Sequence, residues 1–151
     1  MKVNIKKIDL SYRDDIIFRY YVLKTNNKQA WKDFVKLTAN KKVSKSSIYR
    51  MHKNIKKIGQ KVPIPVYKRK GVYYPLGGAT RLAALLALGK TKVKIHHRSK
   101  KINKWNDRQN IDTKHFKGMD EMTIMNFKNF LNQFHNRLSL DNYVDIYTNQ
   151  T

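Results

Sequence analysis

No aspartate or glutamate occurs between residues 34 and 106 of this 151-residue chain, although that stretch contains twenty lysines and arginines. The flanking segments are almost balanced, with net charges of +4 for residues 1–33 and −1 for residues 107–151. Of the overall net charge of +23, +20 therefore lies in one segment, which we call the basic block (residues 34–106). Because such a block repels itself unless a polyanion neutralises it, the sequence predicts a polyanionic partner.

Nucleic acid is the partner that the basic block favours, since a basic surface binds the phosphate backbone. An anionic membrane surface is the weaker alternative, because the apolar stripes have the size of a protein core. The longest apolar run, from Leu82 to Leu88, has seven residues and is far too short to span a membrane. We therefore expect DNA, double- or single-stranded, as the partner, and no membrane.

Composition narrows the class of protein and its location. The chain contains no cysteine, which excludes a disulfide framework, a thiolate zinc site and a cysteine nucleophile. Apolar residues make up 40% of the sequence, enough for a folded core. The N-terminus lacks the apolar segment of a signal peptide, so we expect a cytoplasmic protein in a bacterial host. The abundance of lysine, asparagine and isoleucine suits a phage or plasmid gene.

The order of hydrophobic patterns predicts an α+β fold, a small mixed sheet with flanking helices and a C-terminal helical segment. The predicted organisation is a domain over residues 1–98, a linker or exposed loop over 99–118, and a helical segment over 119–151. Its predicted elements are a strand over 3–8, helices from Asp14 and Lys28, a helix ending before Gly59, strands over 62–67 and 72–76, a buried helix over 79–88, a strand over 92–98 and a long helix over 119–138.

Several side chains have a predicted place in this fold. The prolines at 63 and 65 restrict their strand to a sheet edge or to a strand start. The long C-terminal helix either closes the domain's own core or pairs two subunits in a homodimer. Predicted core residues at helical spacing are Ile48, Met51, Ile55, Ile58, Trp31, Phe34, Met119, Met122, Met125, Phe127, Phe130 and Phe134.

A strand that runs into two glycines and then into a buried helix is the most informative motif. The N–H groups at a helix N-terminus are unpaired and carry partial positive charge, and glycines allow a phosphate to approach the backbone. Arg81 adds a guanidinium fork beside them. The alternative is a simple tight turn with Arg81 directed into solvent. The predicted phosphate-binding residues are Gly77, Gly78, Ala79, Thr80 and Arg81.

The stretch from Ile55 to Ile95 resembles the ParB/sulfiredoxin superfamily. The resemblance rests on the order and spacing of short motifs. These are Asn54-Ile55-Lys56-Lys57-Ile58-Gly59, then Pro63-Ile64-Pro65-Val66, then Gly78-Ala79-Thr80-Arg81 with Ala83 and Ala84, then Gly89, and finally Lys92-Val93-Lys94-Ile95. The resemblance implies a sulfiredoxin-like fold with a ligand site at the turn that contains Gly77 and Gly78, which we call the glycine turn.

Departures from the motifs of the superfamily select among its activities. Sulfiredoxins carry a cysteine between the glycines and the arginine, where this chain has Ala79 and Thr80. The CTP-binding members use a glutamate in this region, whereas the only glutamate here is Glu121. A helix-turn-helix for site-specific DNA reading is also missing. The resemblance therefore implies the ParB-like nuclease type, a hydrolase that acts on DNA.

Catalysis would need groups that stabilise charge and move protons. Arg81 and Thr80 are the candidates for stabilising a phosphate transition state, and His96 or His97 for proton transfer. The two histidines follow each other on a predicted strand and should point to opposite faces. A packing or solvated role is the favoured interpretation of the pair, since neither H-x-H nor H-x-x-x-H metal spacing is present. A divalent metal such as Mg or Mn would need carboxylates, for which Asp107 and Asp112 are the candidates. Asp14 and Asp15 are favoured as helix-start residues.

Contacts with DNA are predicted for many bases around the glycine turn. Lysine outnumbers arginine by 25 to 8, which favours contact with backbone phosphates over base-specific recognition. The predicted DNA-binding residues are Lys41, Lys42, Lys45, Arg50, Lys53, Lys56, Lys57, Lys68, Arg69, Lys70, Arg98, Lys100, Lys101 and Lys104.

Three functions follow, in order of preference. The first is a DNA-binding ParB-like nuclease that nicks or cleaves DNA with little sequence specificity and holds a backbone phosphate at the glycine turn. The second is a non-catalytic protein that binds DNA without sequence specificity. The third is a nucleotide-binding switch or a phosphotransferase that binds CTP or ATP, against which the missing carboxylates of the basic block weigh.

Overall fold

The computed structural model describes residues 1–10, 13–37, 47–98 and 119–138, the last of these with side chains as far as residue 133. Within these ranges the chain forms an α+β fold, which confirms the predicted class. The strands are β1 (Lys2–Asn4), β2 (Ile64–Arg69), β3 (Val72–Pro75) and β4 (Lys92–His97), and the helices are α1 (Asp14–Thr25), α2 (Lys28–Leu37), α3 (Ser47–Ile58), α4 (Ala79–Ala87) and α5 (Glu121–Leu138).

The four strands form one mixed sheet in the order β1-β4-β2-β3. Strand β4 is antiparallel to β1 and parallel to β2, and β2 and β3 form an antiparallel hairpin. Helix α4 connects β3 to β4, so the end of β3 and the start of α4 meet beside β2. This connection places the glycine turn at the level of Ile64 and Pro65 in the centre of the sheet.

Strand β2 lies in the interior of the sheet even though it contains a proline. Pro65 is the second residue of the strand and is the register partner of His96 on β4. Its carbonyl oxygen accepts a hydrogen bond from the Leu76 N–H at 2.8 Å. A proline is tolerated there because the ladder is only beginning. Of the two positions predicted for this segment, the structure therefore shows the strand start.

The first strand is shorter than the prediction over residues 3–8. It ends at Asn4, whose side-chain Oδ1 accepts the Lys6 N–H at 3.1 Å and bends the chain into a 3-10 turn. The Ile5 N–H then donates to the Thr91 carbonyl at 2.8 Å. Beyond the turn, Ile8 forms a bridge with Tyr73 of β3. The alternating pattern of residues 3–8 is therefore divided between two pairings. Its start pairs with β4 as the edge strand β1, and Ile8 pairs with β3 at the opposite edge of the sheet.

The core lies between the sheet and the helices α1, α3 and α4. Phe18 and Ile17 of α1 are fully buried, and α1 packs directly against α4. Helix α4 is buried from Leu82 to Leu86, which confirms the prediction of a buried helix. Trp31 and Phe34 stack at 5.3 Å between ring centroids and are also buried. Their burial confirms that they pack in the core.

Two methionines predicted in the core lie on the surface of α5. Met122 and Met125 are 58% and 51% exposed, whereas the preceding Met119 is only 5% exposed. Positions three residues apart drift around a helix of 3.6 residues per turn. The buried stripe of α5 instead passes through Phe127 and Leu131, four residues apart. The prediction for Met122 and Met125 was wrong because it followed the spacing of three.

Ile58 is another predicted core residue that the structure places outside, with 55% of its surface exposed. It is the last residue of α3, and Gly59 follows it with a φ of +79°. A glycine in this left-handed conformation turns the chain away from the helix axis. The helix therefore ends at Ile58, beyond the part of its apolar stripe in which Ile48 and Ile55 are buried.

Gln60 takes the place of a strand residue beside β4. Its side-chain Nε2 donates to the Lys94 carbonyl at 2.9 Å, and its Oε1 accepts the Lys94 N–H at 2.8 Å. Strand β2 begins only at Ile64, opposite Ile95. One amide side chain therefore extends the hydrogen-bond ladder by one residue and connects the end of α3 to the sheet.

Candidate phosphate-binding turn

The glycine turn is held between β2 and the first turn of α4. Gly78 is the N-cap residue of α4 and has φ +68° and ψ +31°. Its carbonyl oxygen accepts the Leu82 N–H at 2.8 Å, which forms the first turn of the helix. The left-handed conformation is accessible to glycine at little cost, so the glycine directly determines how α4 begins.

The space around Gly78 is also restricted. A Cβ atom at this position would lie 3.1 Å from Ile64 Cδ1 and 3.1 Å from Arg81 Nη1. At Gly77 the nearest atom would be Pro65 Cγ at 3.4 Å, an ordinary contact, and the φ of Gly77 is not positive. The two glycines therefore have different roles, and only at Gly78 does the left-handed backbone conformation favour glycine.

Replacing Gly78 with alanine should lower the free energy of unfolding by about 1–2 kcal/mol, because an L-residue there is strained in the left-handed region. Urea unfolding followed by circular dichroism would measure the change in midpoint. Gly77→Ala is the matched control and should cost less than half as much. Equal losses in the two variants would contradict the role assigned to Gly78.

The N-terminus of α4 is open to an anion. Gly78 offers no side-chain cap, and the first turn contains no acidic residue. Within the described residues, no side chain accepts the N–H groups of Ala79, Thr80 or Arg81. These groups carry the positive end of the helix dipole and lie at a half-buried position. The turn therefore has the features of an anion cradle.

Arg81 folds back over this N-terminus and does not extend away from it. Its Nη1 donates a long hydrogen bond of 3.4 Å to the Pro63 carbonyl and lies near Gly78. Burial lowers the pKa of the Arg81 guanidinium, which nevertheless stays charged because an arginine is not deprotonated in proteins. Of the two sequence interpretations of Arg81, the geometry agrees better with a guanidinium beside the cradle than with one directed into solvent.

The two histidines lie at the end of β4, close to the strand that supports the turn. His96 is the register partner of Pro65, which itself contacts the glycine turn. Because Pro65 lies between them, the backbones of His96 and Leu76 are two strand spacings apart, about 10 Å. His97 pairs in register with Val66, and its ring packs edge-on against Tyr73 at 5.5 Å. His96 has no packing contact of this kind in the described part of the chain.

The structure brings some of the predicted DNA-binding residues together. The Arg98 N–H donates to the Val66 carbonyl at 2.9 Å, which places Arg98 beside the hairpin that carries Lys68, Arg69 and Lys70. Lys68 Nζ lies 5.4 Å from the centre of the Tyr73 ring. A second exposed group lies on α3 and comprises Arg50, Lys53, Lys56 and Lys57. In the described ranges none of these side chains hydrogen-bonds to the glycine turn.

The remaining predicted site residues lie outside the described residues. They are Lys41, Lys42, Lys45, Lys100, Lys101, Lys104, Asp107 and Asp112. Among the residues that the structure describes, no group of three or more histidine or carboxylate side chains is arranged to hold a metal ion.

An arginine that the sequence did not single out connects α1 to the turn region. Arg13 Nη1 donates to the Pro75 carbonyl at 2.9 Å, two residues before Gly77. Its Nε and Nη2 bind both carboxylate oxygens of Asp15. Although burial alone would raise it, hydrogen bonds from Arg13 and the charges of Arg13 and Arg19 hold the pKa of Asp15 below its usual value. Asp15 is thus a structural partner of arginines, and only the neighbouring Arg13-Asp14-Asp15 pattern hints at it.

Comparisons with family models, with curated proteins and with solved structures found no match to this chain. Within the described ranges, no helix combines the length and the apolar character that a membrane span requires.

Proposed function

We propose that this protein binds the phosphate backbone of DNA with little sequence preference and holds one phosphate at the glycine turn. The observation that carries the proposal is the uncapped N-terminus of α4, where Arg81 folds over Gly78 with no acidic residue in the first turn. Backbone N–H groups bind phosphate oxygens as donors, and the guanidinium adds charge and a fork of further donors.

The charge around the turn supports the same function. Residues 47–98 contain no carboxylate, so no internal acid competes with a phosphate for the lysines and arginines of this segment. The exposed bases of α3, of the β2–β3 hairpin and of Arg98 provide further positive surface. Since most of these residues are lysines, we expect point-charge contacts to phosphates and not recognition of base edges.

Phosphodiester cleavage is the second candidate function, and the position of His96 favours it. The histidine is the register partner of Pro65, which contacts the turn, so its imidazole is an acid–base group on the strand next to the one that supports a bound phosphate. Arg81 would stabilise the charge that develops on the phosphate. Under this proposal the protein is a ParB-like nuclease, as its motif order suggests.

The test combines DNA binding and plasmid cleavage by the wild type, Arg81→Ala and Arg81→Lys. Binding to a short duplex at low salt should weaken about tenfold or more in Arg81→Ala, as expected for the loss of a charged hydrogen bond. Arg81→Lys should recover part of this loss, because it restores the charge without the fork. Lys32→Ala, an exposed charge on α2 outside the basic block, is the control and should change affinity by less than about threefold.

Supercoiled plasmid, incubated in EDTA and with added Mg²⁺ or Mn²⁺, separates the two functions. Conversion to open-circle or linear DNA by the wild type, lost in Arg81→Ala, would support the nuclease. A gel shift without cleavage in every lane would support the non-catalytic DNA-binding protein. If wild type and Arg81→Ala bind the duplex equally well, the glycine turn does not hold a phosphate and the proposal fails.

A further inference from the structure

We propose that a second phosphate site lies at the opposite end of α4, in a cleft between the end of α3 and the β1–β4 edge of the sheet. Its ligand would carry two or three closely spaced phosphates. The cleft has a volume of about 260 Å³ and is lined by five lysines together with Gln60, Gly59, Ile58 and Leu85. No carboxylate is among these lining residues. The inference does not depend on binding at the glycine turn.

Three of the lysines come from neighbouring positions of the sheet. Lys2 and Lys94 are direct register partners across the antiparallel β1–β4 pair. Lys92 precedes Lys94 by two residues and therefore lies on the same face of β4. Directly opposed like charges destabilise a strand pair. A bound polyanion would remove this repulsion, because it would place negative charge between the ammonium groups.

The helix ends explain only part of the lysine cluster. Lys61 and Lys90 lie just beyond the C-termini of α3 and α4, where a positive charge complements the helix dipole. Lys2, Lys92 and Lys94 are strand residues and gain nothing from a helix terminus. Their convergence therefore needs another reason, and a shared anionic ligand is one that opposes all three charges.

The shape of the cleft restricts the ligand. A volume of about 260 Å³ lies below the usual range of small-molecule pockets, about 300–1,000 Å³. The floor includes the buried Leu85, and Gln60 is already engaged with the backbone of Lys94. The polar groups left to bind a ligand are thus mainly lysine ammonium groups, which bind phosphates as point charges. Two sources have this chemistry, a free polyphosphate and successive phosphates of a DNA strand.

The test uses inorganic triphosphate as the probe, in calorimetry at low salt. Lys92→Gln combined with Lys94→Gln removes two charges from the cleft and leaves the backbone bonds to Gln60 in place. We expect triphosphate affinity to fall about tenfold per lysine, as for other charged hydrogen bonds, or about a hundredfold in total. The control is Lys28→Gln combined with Lys32→Gln, which removes the same charge from exposed positions of α2 and should change affinity by less than about twofold.

Thermal unfolding gives an independent result, because the melting temperature of the variant can be measured without any ligand. In the absence of ligand, the variant with Lys92→Gln and Lys94→Gln, which we call the cleft variant, should melt at a higher temperature than the wild type. The reason is that it relieves the repulsion between Lys2 and Lys94. Triphosphate should raise the melting temperature of the wild type and of the control, but not of the cleft variant. Lower stability of the cleft variant would contradict the assigned repulsion.

Competition with duplex DNA identifies the source of the phosphates. Displacement of triphosphate by the duplex would assign the cleft to the DNA backbone, and simultaneous binding would assign it to a free polyphosphate. Absence of triphosphate binding by the wild type, or equal loss of affinity in the cleft variant and the α2 control, would overturn the inference. DNA binding at the glycine turn is tested separately by Arg81→Ala and could fail while the cleft still binds triphosphate.

Discussion

The affinity for a short duplex of arbitrary sequence should fall by about 10³- to 10⁵-fold between 50 and 200 mM salt, if about six to ten phosphates are contacted. The physical reason is the release of counterions from DNA when lysines and arginines neutralise its backbone. The basic block supplies twenty such residues without an internal acid. Fluorescence anisotropy with a labelled duplex, repeated over a series of salt concentrations, would measure the slope.

Sequence independence is the second part of this expectation. Duplexes of unrelated sequence should give the same affinity and the same salt slope, because contacts with phosphates carry no base information. Lys32→Ala, on α2 and outside the basic block, should leave the slope unchanged. A flat salt response, or a strong preference for one sequence at high salt, would rule out backbone binding as the basis of the interaction.

Replacing Phe127 with alanine should lower the free energy of unfolding by about 3–5 kcal/mol, as is typical of large-to-small changes at buried aromatic residues. The ring is 1% exposed and contacts Phe18 edge-on at 5.0 Å between centroids and Tyr21 at 5.5 Å. It therefore connects α5 to the centre of α1. Urea denaturation followed by circular dichroism and by tryptophan fluorescence would measure the loss.

A matched variant on the same helix is Met125→Ala. Met125 is 51% exposed, so its truncation should change stability by no more than about 0.5 kcal/mol. A small effect of Phe127→Ala, similar to that of Met125→Ala, would mean that α5 contributes little to the stability of the core. Dependence of either midpoint on protein concentration would indicate that α5 also pairs two subunits.

Local sequence signals predicted most of the helices and strands because acidic residues and glycines mark where helices begin and end. Asp14 and Asp15 mark the start of α1, Gly59 ends α3 and Gly89 follows α4. The buried α4 was predictable because its own residues are apolar on nearly every face of the helix. These features depend on residues close in sequence, which are what periodicity and capping preferences describe.

The pairing of strands was not predictable in the same way. Asn4 ends the first strand through a side-chain bond to the Lys6 N–H, and Ile8 then joins the far edge of the sheet at Tyr73. The hydrophobic alternation of residues 3–8 does not distinguish this path from a single strand. The exposure of Met122 and Met125 was missed for a related reason, since which stripe of α5 faces the core depends on where α1 lies.

The glycine turn was recognised from its sequence, but its geometry was not. A pair of glycines before a helix predicts a backbone that can approach a ligand. It does not predict that Arg81 reaches the Pro63 carbonyl or that Arg13 anchors α1 at Pro75. Both contacts join residues that are far apart in sequence. The lysine cleft was missed for the same reason, because its residues come from four separate segments of the chain.

The amide of Gln60 makes detachment of the α3 terminus and fraying of β4 a single event. Because the same side chain binds both the N–H and the carbonyl of Lys94, release of this amide frees the end of α3 and this part of β4 together. A glutamate at this position could accept but, when ionised, could not donate, and would leave the Lys94 carbonyl without its partner. Hydrogen exchange at the Lys94 N–H should therefore report on the docking of α3, and the same amide connects two walls of the lysine cleft.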